Sequence, residues 1–258
     1  MPKFAANLSM QFTEVDFLDR FAAAAGCGFK GVEFLFPYAF DKDELAGKLQ
    51  ANGLQQALFN MPPGNWDAGE RGLACLPDRV GEFQDGVGKA IEYAKVLKSP
   101  LLHAMAGLKP EGADEDKLRQ TYVENLKFAA AEGGKAGITL IIEPINFRDM
   151  PGFFLNYSAQ ALEIIAEIGA ENLKLQYDIY HMQRMEGELA NTIAANIGSI
   201  AHMQLADTPG RHEPGTGEIN YSFLFDAIDA AGYKGWIGCE YVPAAGTEAG
   251  LGWFAPYK

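Results

Sequence analysis

The chain has 258 residues, 48% hydrophobic and 21% charged. This is an ordinary soluble globular composition, long enough to bury a sizeable core without disulfides. Lys and Arg number 21 against 34 Asp and Glu, a net charge of −13, which argues against nucleic acid as a partner. Cys27, Cys75 and Cys239 lie far apart with no C-x-x-C, against a disulfide scaffold or a cysteine-ligated zinc site. The N-terminal segment lacks a signal peptide's apolar core, and no apolar run approaches the roughly 18 residues of a membrane span. A reducing, cytoplasmic location and no membrane partner are the expectation, and self-association into a homo-oligomer stays open.

Short apolar runs recur along the chain. In order they are "KFAANLSM", "GVEFLF", "QQALFNMP", "PLLHAMAG", "TLIIEPIN", "LKLQYDIY", "IAHMQLAD" and "GWIGCEYV". Helical signals lie between them. After the first run, "FTEVDFLDRFAAAAG" reads as a helix capped by Thr13, with Asp16 three residues on. "DEDKLRQTYVENLKFAAAEGGKAG" repeats the pattern and closes in glycines. "SAQALEIIAEIG" reads as a helix capped by Ser158 and ended by Gly169. Eight strand–helix alternations in this length predict a single (β/α)8 TIM barrel over residues 1–258. A doubly wound open sheet is the alternative, weakened by the lack of a Gly-rich phosphate fingerprint after the first strand. The long connections follow the third, fifth and seventh strands, which puts all of them on one face of a barrel.

Active sites of such barrels form where strands end. Strands five to eight each close an apolar run with an oxygen-bearing side chain: Glu143, Asp178, Gln204 and Glu240. Three carboxylates converging on one axis repel unless a cation sits among them. All-oxygen ligation suits a hard divalent ion, Mg²⁺ or Mn²⁺. Gln204 is the weakest member, since Asp207 lies three residues on. His202 reads as a packed core histidine. Each acid could instead cap a helix or pair with a lysine.

Taken together, "GFKGVEF", "LIIEPIN", "LQYDIYHMQRMEGE", "RHEPGTGEINY" and "GWIGCEY" resemble the hydroxypyruvate isomerase family of xylose-isomerase-like barrels, over essentially the whole chain. The resemblance implies that Glu143, Asp178, Gln204 and Glu240 hold the metal. It also implies that Glu143 and Glu240 do the proton work between hydroxypyruvate and tartronate semialdehyde. Histidine often stands at the Gln204 position in the wider superfamily. Proton transfer and a metal-assisted hydride shift remain alternatives. The substrate carboxylate calls for a cation, and Arg71 and Arg211 on post-strand loops are the candidates, against solvated loop roles. His181 is expected to hydrogen-bond the substrate, with His212 a further candidate. Glu70 and Glu213 would orient the neighbouring arginines. Glu33 reads as a buried structural hydrogen-bonding group, and His103 as a cavity or core residue. Competing activities are a 2-oxo-tetronate isomerase or a sugar-acid epimerase of the same family. A metal-dependent DNA-repair nuclease fits poorly with four histidines and this charge, and a non-catalytic barrel would not need two converging glutamates.

Overall fold

Eight strands pair in sequence order, all parallel, and the last closes on the first. The computed structural model describes all 258 residues. The strands are β1 (Lys3–Asn7), β2 (Gly31–Phe34), β3 (Gln55–Asn60), β4 (Leu101–His103), β5 (Thr139–Ile142), β6 (Leu173–Asp178), β7 (Ile200–Leu205) and β8 (Trp236–Cys239). Outside them run α1 (Arg20–Gly26), α2 (Lys42–Ala51), α3 (Val80–Leu97), α4 (Glu115–Lys135), α5 (Ser158–Ile168), α6 (Ile179–Met185), α7 (Leu189–Asn196) and α8 (Tyr221–Ala230), and a 3-10 segment over Glu248–Tyr257 follows β8. The alternation read from the sequence is therefore a closed barrel, not an open sheet. No helix is long and apolar enough to cross a membrane.

The strands form because large apolar residues sit at positions buried on both sides. Val32, Phe34, Phe59, Leu102, Leu140, Ile142, Leu175 and Ile237 are all buried, as expected for strands covered inside and out. Glycine is required at one point inside the barrel. A Cβ on Gly238 would lie 2.2 Å from a carboxylate oxygen of Glu33, so a bare residue on β8 makes room for an acid on β2.

Helix starts differ from expectation in two places. Thr13 caps nothing: a short 3-10 turn, Phe17–Asp19, precedes α1. Ser158 is the first residue of α5 rather than its cap. The carboxylate of Glu186 accepts from Ser158 N (2.6 Å) and Ser158 Oγ (2.8 Å). A charged acceptor at a helix N-terminus outcompetes a hydroxyl. Gly169 ends α5 at φ 67°, as expected.

Candidate active site

Every strand brings a buried polar side chain to the C-terminal end of the barrel. Asn7, Asn60, His103 and Asp178 are the last residues of β1, β3, β4 and β6. Glu33 and Gln204 stand one residue before the ends of β2 and β7, and Glu143 and Glu240 one residue beyond β5 and β8. None of the eight is more than 8% exposed. A cavity of about 110 Å³ opens among them, with Trp66, His103, Glu143, His181, Arg211 and Glu240 on its walls.

Burying several carboxylates together sets their electrostatics. Burial pushes the Glu143 carboxyl well above the ordinary range, and the charges of Glu240 and Asp178 add to the effect. Burial likewise raises Glu240 to about 8 and Asp178 to about 6, with Arg211 partly opposing each shift. Arg211 donates from Nη2 to Glu240 Oε1 at 2.8 Å and lies 4.0 Å from Asp178 Oδ2. Burial works against its charge, but Glu240, Asp178 and Glu143 outweigh that and hold its pKa above the usual value.

Asp178 caps a helix with one oxygen and leaves the other without a partner. Its Oδ1 caps α6, accepting from Tyr180 N (2.8 Å) and His181 N (3.3 Å). Its Oδ2 is buried with no hydrogen-bond partner. Donor atoms of Glu143, Asp178 and His181 lie within 4.8 Å of one another. An orphaned carboxylate oxygen beside acids that repel one another fits a divalent cation. Gln204 stands beside this cluster with its amide nitrogen, not its oxygen, toward the acids. Nε2 donates to Glu33 Oε1 at 2.8 Å and to Glu240 Oε2, and Oε1 accepts from Gln176 Nε2 at 2.5 Å. Oxygen ligation by Gln204 requires its amide to turn over.

The four expected substrate-binding residues separate. His181 and Arg211 line the cavity. Arg71 is not among the lining residues: it stacks 3.9 Å over the Trp66 ring and donates to the Trp66 and Glu70 carbonyls. His212 Nδ1 donates to the Val242 carbonyl at 2.7 Å, which ties the Arg211 loop to the segment after β8. The carboxylates of the neighbouring glutamates do not hold these arginines. Glu70 pairs with Arg79 at 2.7 Å, and Glu213 accepts from Ala244 N. Glu70 finds its partner further along its own loop, and Glu213 finds one in the segment after β8.

Asp207 is withdrawn from the cluster. Its carboxylate accepts from four backbone N–H groups, those of Thr208, Gly215, Gly217 and Ile219. Glu33 has the structural role expected of it, accepting from Asn7, His202 and Gln204. His103 lines the cavity, and burial lowers its pKa to about 3. Sequence reasoning passed over Asn7, Asn60 and Gln176. The strand-end rule that found Glu143 also points to the first two, and Gln176 precedes Asp178 by two residues on the same strand face.

A closed parallel barrel whose strand ends converge on buried polar groups is the architecture of a barrel enzyme with its site at the C-terminal face. The chain belongs to the xylose isomerase-like TIM barrel family, which it matches over residues 21–257. It is 56% identical to the 2-oxo-tetronate isomerase of Cupriavidus necator, over 100% of this chain and 99% of the relative. It is 54% identical to the hydroxypyruvate isomerase of Escherichia coli, over the full length of both. A crystal structure described as AP endonuclease, family 2, from Brucella melitensis superposes with a TM-score of 0.98 at 48% identity, covering both chains completely.

Proposed function

We propose that the protein is an isomerase that interconverts hydroxypyruvate and tartronate semialdehyde (2-hydroxy-3-oxopropanoate). The observation that carries this reading is the pair of buried glutamates, Glu143 and Glu240, on the wall of one small cavity with Arg211 beside them. The reaction removes a proton from C3 of hydroxypyruvate and delivers one to C2, while the hydroxyl proton moves from the C3 oxygen to the C2 oxygen. One carboxylate accepts the carbon proton and the other, protonated, supplies the second. Burial favours their neutral forms, so an acid–base pair is within reach near neutral pH. Arg211 turns part of its guanidinium from Glu240 to the substrate carboxylate, a bidentate match. His181 hydrogen-bonds a substrate oxygen. Trp66 helps exclude water.

A divalent ion, Mg²⁺ or Mn²⁺, bound by Glu143, Asp178, Glu240 and the turned amide of Gln204 would supply charge stabilisation at the substrate oxygens. The cavity is small, about 110 Å³, which suits a compact acid of three or four carbons. A second reading, isomerisation of a four-carbon 2-oxo-tetronate, is favoured by the identity to the Cupriavidus necator relative. A cytoplasmic setting accords with the free cysteines.

Parallel assays with hydroxypyruvate and 2-oxo-tetronates separate the two readings by kcat/KM. Exhaustive chelation is expected to abolish turnover and Mg²⁺ or Mn²⁺ to restore it. Glu240→Gln and Glu143→Gln are each expected to fold and lose at least about 10²-fold in kcat. The double variant should be little worse, since the two act as a unit. Solvent deuterium on the product carbon marks proton transfer, and its absence marks a hydride shift. Near-normal turnover in Glu240→Gln with either substrate would overturn the paired-glutamate assignment.

A further inference from the structure

The segment after β5 and helix α6 interlock behind the cavity. Asn146 is fully buried, and its Oδ1 accepts two backbone N–H bonds, from Arg148 (3.1 Å) and Asp149 (2.9 Å). Its Nδ2 faces Asp149 Oδ2 at 3.1 Å and His181 Nδ1 at 2.6 Å. These contacts leave one orientation for the amide. Turned over, its nitrogen would face two N–H donors and its oxygen a carboxylate. Asp149 is itself held, by Arg184 Nη1 at 2.6 Å and by the Tyr180 hydroxyl at 2.7 Å.

The fixed amide dictates the state of the histidine. An N–H pointing at Nδ1 from 2.6 Å requires Nδ1 to be an unprotonated acceptor. The ring proton then sits on Nε2. That nitrogen lies 3.6 Å from Asp178 Oδ2 and 3.9 Å from Glu143 Oε1, beyond hydrogen-bond reach of either. Its N–H is left for a ligand in the cavity. A nitrogen carrying a proton has no lone pair for a cation.

We propose that Asn146 is a positioning residue that locks His181 in the Nε2–H tautomer, making His181 a hydrogen-bond donor to a substrate oxygen and not a ligand of the metal. The lock runs from Arg184 and Tyr180 through Asp149 and Asn146 to His181. It rests on the reading of this cavity as the active site, but the tautomer is measurable without substrate. The residues that set it come from two separate segments, "EPINFRD" and "DIYHMQR".

The test is nitrogen-15 NMR of His181 in the full chain with Mg²⁺ and without added metal, which distinguishes a protonated ring nitrogen from a bare one. The wild type is expected to show Nε2–H in both conditions. The paired exchange Asn146→Asp with Asp149→Asn keeps net charge and shape but places an acceptor against Nδ1, and is expected to move the proton to Nδ1. Asn146→Ala, a simpler change if the exchange does not fold, is expected to admit the Nδ1–H form alongside the other. Mn²⁺ titration followed by electron paramagnetic resonance should give His181→Ala an affinity within about threefold of wild type, whereas Asp178→Ala weakens binding at least about tenfold. With whichever substrate the protein turns over, the exchange should lower kcat/KM at least about tenfold. An Nδ1–H signal in the wild type, an unmoved proton in the exchange, or equal losses of Mn²⁺ binding in the two alanine variants would overturn the proposal. Failure of the substrate assays alone would count against the isomerase reading and leave the tautomer result standing.

Discussion

Two loops on the same face of the barrel each carry an arginine, and only one of them reaches the cavity. In the connection 61–79, after β3, Arg71 gives Nη1 to the carbonyls of Trp66 (3.0 Å) and Glu70 (2.7 Å) and stacks on the Trp66 ring. The acid beside it, Glu70, holds Asn65 N at 2.5 Å and Arg79. This loop satisfies its carbonyls with its own cation. In the connection 206–220, after β7, the buried Asp207 takes up four backbone N–H groups instead. Arg211 stands in the left-handed region at φ 56°, its carbonyl accepting from Val242 N at 3.0 Å and its Nη2 on Glu240. The arginine that reaches the cavity is the one whose loop is held together by another group.

Removing that other group should have the largest effect. Asp207→Ala strands four N–H groups and is expected to cost about 3 kcal/mol or more, lowering Tm by roughly 6–12 °C and lowering kcat/KM with it. An unchanged melting curve would mean that the loop holds its shape without Asp207. Arg211→Ala comes next, with kcat/KM falling about 10–100-fold, or roughly 1.5–3 kcal/mol. Wild-type kcat/KM in that variant would place the carboxylate grip elsewhere.

The same arginine should also change how stability depends on pH in the metal-free protein. Glu240 at about 8 and Asp178 at about 6 lie above their unfolded values, close to 4. The folded state therefore binds protons more tightly than the unfolded one. Stability is full below about pH 4 and declines as pH rises through 6 and 8. Arg211 opposes both shifts, so Arg211→Ala should steepen the fall in Tm between pH 5 and 8 and extend it above 8, measured by thermal melts in chelator. A profile parallel to wild type would count against Arg211 as the counter-charge. Arg71→Ala should have the smallest effect, less than about threefold in kcat/KM, with about 1 kcal/mol of stability from the lost stacking. A loss comparable to that of Arg211→Ala would erase the distinction between the loops.

The barrel was legible because eight apolar runs separated by helical periods leave few other arrangements. Glu143, Asp178 and Glu240 were legible because an acid that follows a buried run stands out. Asn7 and Asn60 did not stand out, since neutral polar residues at strand ends look like satisfied core groups. Arg71 in "AGERG" and Arg211 in "PGRHEPG" are alike as text; what separates them is which carbonyls the folded loops bring near. The capping of α5 by Glu186 and the hold of Arg184 on Asp149 join residues 28 and 35 positions apart. Local capping and charge rules do not reach that far.

The ring of polar side chains at the eight strand ends has a consequence beyond binding. In water, a charge that migrates along a small acid must drag the surrounding molecules into new orientations, and that reorganisation is a large part of the barrier. Here Asn7 and His202 are already turned and hydrogen-bonded to Glu33 on another strand. Their directions were settled when the chain folded. The barrel end thus acts as a frozen solvent, one whose dipoles need not rotate when charge moves between two carbons.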